Sequence, residues 1–166
     1  MKTFAVLVCS AILAIILFTC HANKSQEGGR AHALQSALAQ TTVTITRGDG
    51  TSFPFNVRVA KTSEEQAQGL KSVKSLPSNE GMLFPFPNPK QAAFWMEKTL
   101  IPLDIIFILP NGEIGRIKHN AQPKDLAPIF SEDDVIAVLE IPGGVAKRYG
   151  LKRGHWVKSD ALTLNR

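Results

Sequence analysis

Past residue 41 the apolar positions alternate with polar ones. Val43 and Ile45 stand between threonines, and beyond Gly48-Asp49-Gly50 the alternation resumes at Phe53, Phe55, Val57 and Val59. A period of two with β-branched residues predicts two strands, and the glycine-rich break predicts the hairpin turn that joins them. That turn also accounts for the adhesion-like tripeptide Arg47-Gly48-Asp49. Pro54 predicts an edge position for the second strand, because proline donates no ladder hydrogen bond. The rhythm breaks at Thr62-Ser63-Glu64-Glu65, a capping box that opens a short helix ending near Gly69. Gly81–Phe84 predicts a short buried strand, and Pro85, Pro87 and Pro89 predict a stiff loop after it.

Ala93–Met96 is a further apolar strand. Leu103–Leu109 is continuously apolar apart from Asp104, which suits a central strand covered on both faces. Pro110-Asn111-Gly112 turns the chain, Glu113–Lys118 pairs back, and a loop covers His119–Pro128. Val135–Ile141 predicts another buried strand, Gly143–Tyr149 a short helix ended by Gly150, and Gly154–Val157 and Ala161–Leu164 the closing strands. The pattern gives about eight short strands and two short helices. The expected fold is mostly β: a compact antiparallel barrel or sandwich, jelly-roll-like, since no long helix is present to cross over parallel strands.

The first forty residues follow another pattern. Lys2 precedes an apolar run from Phe4 to Cys20, broken only by Ser10 and Thr19, and polar residues follow. This is the layout of a secretory signal peptide, shorter than the ~20 residues of a membrane span, with cleavage expected after Ala22. Leu17-Phe18-Thr19-Cys20 also resembles a lipoprotein box, which would lipidate Cys20 and anchor the chain to a membrane. Residues 23–40 are polar and rich in small side chains and read as a flexible tether. The expected organisation is therefore 1–22 signal, 23–40 tether and 41–166 a single β domain. The protein is then periplasmic or secreted, or a membrane-anchored lipoprotein.

Composition sharpens this picture at two points. Of 166 residues only two are cysteines, Cys9 and Cys20, and both fall in the export segment. The working domain is thus without thiols, which excludes thiol catalysis and a disulfide framework. The net charge is +5. Part of it gathers in Lys147, Arg148, Lys152, Arg153 and Lys158, interleaved with Tyr149 and Trp156. An exported chain meets little nucleic acid, so anionic lipid head groups or cell-wall polymers suit this stretch better, beside the plain reading of a solvated face.

No phosphate-binding glycine loop, metalloprotease His pair or nucleophile elbow occurs, and nothing calls for a cofactor. His119 and His155 lack metal-ligand spacing. The unusual residues gather between Gly81 and Asp104. Trp95 and Asp104 could form a polar-ligand pocket, the ring giving a flat face and the carboxylate accepting hydrogen bonds. Alternatively Trp95 fills the core and Asp104 binds the backbone amides of the 99–102 turn. Glu140 stands in an apolar strand and either faces solvent or a cleft. If Asp104 and Glu140 met, one would be raised in pKa and the pair could do general acid–base work.

Three segments carry a family resemblance: Glu80-Gly81-Met82-Leu83-Phe84, Phe94-Trp95-Met96 with Thr99-Leu100-Ile101-Pro102-Leu103-Asp104-Ile105, and Val138-Leu139-Glu140-Ile141-Pro142-Gly143-Gly144. Together with Ala67-Gln68-Gly69-Leu70 and Tyr149-Gly150-Leu151-Lys152-Arg153-Gly154 they resemble the domain-of-unknown-function family 192 over most of Val57–Val157. The resemblance implies a compact, mostly β domain, often behind a signal peptide, and no established activity. It marks Trp95, Met96, Thr99, Asp104 and Glu140 as the residues to line any shared site. This chain has Gln68 where the family usually has arginine, Lys98 where it has asparagine, and His155 where it has aspartate.

The leading expectation is an exported, non-catalytic domain that binds a small polar or envelope-derived ligand near Trp95 and Asp104. The alternatives are an envelope glycan hydrolase using Asp104 and Glu140 as paired carboxylates, and a structural or interaction module of the envelope.

Overall fold

The computed structural model describes residues 35–164. The expected signal segment, Cys20 and most of the tether lie outside the described residues. The described residues from 37 onward form one compact unit. Its described part holds nine strands and two short helices. The strands are β1 (Gln40–Thr46), β2 (Ser52–Val59), β3 (Glu80–Lys90), β4 (Ala93–Phe94), β5 (Leu103–Ile108), β6 (Ile114–Ala121), β7 (Ile129–Phe130), β8 (Val135–Pro142) and β9 (Trp156–Lys158). The helices are α1 (Ser63–Gln68) and α2 (Val145–Arg148).

Seven strands make one sheet in the order β6-β5-β8-β3-β2-β1-β9, and β4 and β7 pair separately. The sheet curls until its two edges meet. Glu113 bridges Trp156, Ile114 N donates to His155 O at 2.8 Å, and Val157 N donates to Gly112 O at 2.8 Å. The expected mostly β fold is therefore the observed one. One pairing departs from the antiparallel expectation: β2 and β3 run parallel, Asn56–Val59 against Glu80–Leu83. The crossover is made by residues 60–79, where the six-residue α1 and an irregular stretch do the work of a long helix.

The same register explains Pro54. β2 lies inside the sheet, between β1 and β3. β3 joins it only from Asn56 onward, so Pro54 faces no ladder partner on that side. The proline-rich segment expected as a loop continues β3 to Lys90 instead, with a register shift after Pro85. Proline's fixed φ is compatible with extended backbone where no donor is needed. The capping box forms as expected. Glu65 N donates to Thr62 Oγ1 at 3.2 Å, and Thr62 N donates to Glu65 Oε2 at 2.9 Å. Residues 161–164 form no strand; Leu162 and Leu164 pack loosely against the core.

β3, β5 and β8 are covered on both faces. Val43, Ile45, Phe55, Leu83, Ile106, Ile108, Leu139 and Ile141 fill the inside of the curl. Met82, Phe84, Ile105, Phe107 and Val138 point to the outer face, where Leu38, Leu70, Ala92, Met96 and Ile129 cover them. Leu38, expected in the tether, thus belongs to the fold.

The glycine of the Glu80-Gly81-Met82 segment follows from this packing. A methyl group at Gly81 would lie 2.4 Å from the Glu140 carbonyl oxygen and 3.2 Å from the Ile141 side chain. Both contacts belong to the interior strand β8, which has little room to move. Gly81→Ala is therefore expected to destabilise the domain by about 1–3 kcal/mol, read from urea unfolding midpoints; a change within error would mean that β3 and β8 are not this close.

Candidate functional site

The outer core is open on one side. α1 and the turn after it form one wall, the end of β3 and the chain from Gln91 to Trp95 the other, and β8 the floor. The cleft encloses about 330 Å³. Gln66 ties α1 in place, donating from Nε2 to Ala60 O and to Pro85 O, both at 3.2 Å. Gly69, with φ 47°, turns the chain tightly beneath α1, where an added methyl would touch the Phe84 ring at 3.5 Å. Phe84 and Phe94 meet edge to face at 5.2 Å between centroids, and Phe94 meets Phe107 in the same way at 6.3 Å. The Lys90 ammonium lies 4.2 Å from the centre of the Phe86 ring. Lys71 pairs with Glu97 at 3.6 Å.

Three of the five residues marked by sequence come together here. Trp95, Thr99 and Glu140 all line the cleft. Trp95 is not a core residue: it is 51 % exposed at the rim, while its neighbour Met96 is buried in the outer core instead. Alternation along Ala93–Met96 decides this, since Phe94 and Met96 point inward and Trp95 outward. Thr99 is buried and closes a turn in which its N–H donates to Met96 O at 3.0 Å. Lys98 occupies that turn at φ 57°. Asparagine tolerates that region better than lysine, which gives a physical reason for the family's usual residue there.

Glu140 is 6 % exposed. Its register partners, Met82 on β3 and Ile105 on β5, are both apolar. Burial alone pushes its carboxyl from the ordinary 4.5 up to about 8. The carboxyl is thus held mostly neutral at pH 7.

Asp104 lies on the other face. It pairs with Ile141, whose side chain belongs to the inner core, whereas Glu140 pairs with Ile105 of the outer core. The two carboxylates therefore point to opposite sides of one sheet. The expectation that Asp104 sits with Trp95 in a pocket is corrected, as is its alternative partner, the 99–102 turn. Asp104 is fully buried and accepts two backbone hydrogen bonds of 2.7 Å, from Asn120 N and from Ala146 N. The N-cap of α2 is Gly144, which has no side chain to cap the helix. Asp104 supplies that cap from β5, satisfying a helix amide that would otherwise be orphaned. Gly143 is tied to the same knot: a methyl there would fall 2.6 Å from Asn120 Oδ1 and 2.9 Å from Pro102 Cβ.

Gln66, Gln68, Phe84, Phe86, Phe94 and Lys90 also line the cleft and were not marked from the sequence. Gln68, Phe84 and Phe94 stood in the segments that carry the family resemblance, while Gln66, Phe86 and Lys90 left no trace. The basic stretch is exposed at Lys147, Arg148, Lys152, Arg153 and Lys158, and Trp156 beside it is half exposed. His155 is buried, accepts a 3.3 Å hydrogen bond from Lys152 N at Nδ1, and is lowered in pKa by burial and then by Lys152 and Arg47. Among the described residues, no group of three or more His, Cys, Asp or Glu side chains could hold a metal ion.

A curled β-sheet with a carboxyl-floored cleft on its outer face is the class of protein these features define. The chain belongs to the DUF192 family (uncharacterized ACR), matched over residues 28–159. It is similar to a crystal structure from Sinorhizobium meliloti 1021 described as a candidate transcription regulator, at 32 % identity and a TM-score of 0.73, covering 75 % of this chain and 97 % of that one. It is also similar to a protein of unknown function from Novosphingobium aromaticivorans DSM 12444, at 42 % identity and a TM-score of 0.72, covering 74 % and 87 %. No curated protein matches the chain.

Two measurements test the site. The unfolded chain loses the Glu140 proton near pH 4.5, while the folded domain keeps it to about pH 8. The folded state binds the extra proton between those values, so this contribution to stability is complete below about pH 4.5, declines through that window and is flat above about pH 8. The decline is expected to approach about 1.4 kcal/mol per pH unit in mid-window and to vanish in Glu140→Gln, read by urea unfolding from pH 5 to pH 9. An identical pH dependence in the two proteins would refute the assignment. Asp104→Ala leaves two buried amides without an acceptor and is expected to cost about 2–4 kcal/mol, measured in the same way; a cost below ~1 kcal/mol would rule out the capping role.

Proposed function

We propose that the chain is an exported, non-catalytic binding domain whose cleft between α1 and Trp95 takes a small polar ligand of envelope origin. One observation carries the reading. A carboxyl side chain with no charged or hydrogen-bonding partner among the described residues stands on the floor of an open, largely apolar cleft. Burying such a group is costly, and a ligand that satisfies it recovers part of that cost. A half-exposed tryptophan at the rim gives the ligand a flat face to lie on.

Export rests on the apolar run that ends at Cys20. On this reading the domain works in the periplasm or outside the cell, or on a membrane if Cys20 carries lipid. The hydrolase alternative loses its support, because it needs both carboxylates beside one substrate. The interaction-module alternative has no feature of its own beyond the exposed basic stretch.

A thermal-shift screen of the full chain against sugars, nucleotides and muropeptides tests the proposal. A ligand at one hundred times its Kd is expected to stabilise the protein by about 2.7 kcal/mol, a rise of several degrees in Tm. The rise should disappear in Trp95→Ala. A screen without any shift in the wild-type protein would count against a binding role, and an unchanged shift in the variant would move the site elsewhere.

A further inference from the structure

The chemistry of the cleft narrows its ligand, given that the cleft is a binding site at all. Four aromatic rings, those of Phe84, Phe86, Phe94 and Trp95, line it, and a single carboxyl side chain stands on its floor. The faces of aromatic rings attract cations. The protein already shows this on its own wall, where the Lys90 ammonium sits 4.2 Å from the centre of the Phe86 ring. Once ionised, a carboxyl whose register partners are Met82 and Ile105 is short of positive charge. The rings give a hydrocarbon body an apolar surface to pack against, and a volume of about 330 Å³ admits several carbon atoms.

We infer that the cleft binds a small organic amine in its protonated form, the ammonium donating hydrogen bonds to the Glu140 carboxylate and the hydrocarbon part packed against Trp95 and the phenylalanine rings. The other charged groups on the cleft do not fill this role. Lys90 is an exposed residue held over Phe86, and Lys71 is paired with Glu97 at 3.6 Å. From α1 and the turn after it come the neutral amides of Gln66 and Gln68; Gln66 is spent on Ala60 O and Pro85 O, and Gln68 donates to Lys71 O at 3.3 Å. β3 and β5 present Met82 and Ile105 to Glu140. Gln91 and Thr99 complete the polar side chains of the lining.

Binding would have a proton balance. Glu140 enters as a neutral carboxyl, the ammonium displaces its proton to solvent, and an ion pair is left. One proton is released per amine bound below about pH 8, and fewer above. A neutral ligand that accepts a hydrogen bond from the protonated carboxyl would behave oppositely and lose affinity as pH rises.

Isothermal titration calorimetry of the full chain with n-pentylammonium and with n-pentanol, its neutral analogue, separates these cases. The amine is expected to bind about tenfold more tightly at pH 7 than at pH 6 and to release close to one proton, counted in two buffers of different ionisation heat. Glu140→Gln should weaken the amine at least ~10-fold and remove the pH dependence of its binding. The pH dependence needs no variant, so it stands even if the substituted protein folds poorly. Equal binding of amine and alcohol that Trp95→Ala abolishes would overturn the amine assignment and leave the cleft as a binding site. Uptake of neither probe would overturn the amine assignment and count against the cleft as well.

Discussion

Strands β3, β8 and β5 are apolar on both faces, and the inner and outer faces are covered by different parts of the chain. The inner face is covered by the curl of the sheet itself. The outer face depends on Leu38, Leu70, Ala92, Met96 and Ile129, which come from short segments without a continuous layer of their own. Covering a face with such separate pieces leaves a gap, and the cleft is that gap. Glu140 is buried because it stands on a strand with no solvent face, between Met82 and Ile105. Its raised pKa is a consequence of position in the sheet and needs no charged neighbour.

The family segments divide into two kinds of work. Pro102-Leu103-Asp104 and Ile141-Pro142-Gly143-Gly144 meet around the Asp104 carboxylate, which joins β5, β6 and α2 through two backbone amides. Gly81 lets β3 approach the backbone of β8. These residues hold the fold. Trp95, Thr99 and Glu140 come from the same segments and face the cleft. A motif of this kind records structure and site together, and only the direction of each side chain tells them apart.

Much of the fold was legible beforehand. The hairpin of β1 and β2, the capping box at Thr62 and the two-faced burial of β5 follow from local pattern, because alternation, capping chemistry and apolar continuity act within a few residues. The parallel partner of β2 and the extension of β3 through three prolines were not legible, since both depend on which strand lies alongside. The cleft was half legible. Trp95 and Glu140 stood out by residue type and Thr99 through the family resemblance, whereas Phe84, Phe86, Gln66 and Gln68 became wall residues only once α1 lay across the end of β3.

By itself the sequence determined the mostly β class, the positions of most strands and the family. It also determined which unusual residues deserved a role. The tertiary structure alone decided what those roles are. Asp104 and Glu140 are alike as isolated carboxylates in apolar strands, but the register of β5 against β8 sends one inward to bind amides and the other outward to a cleft. The reason is the two-residue period of a strand: a shift of one position exchanges its faces, and register is set by contacts between strands that are distant in sequence.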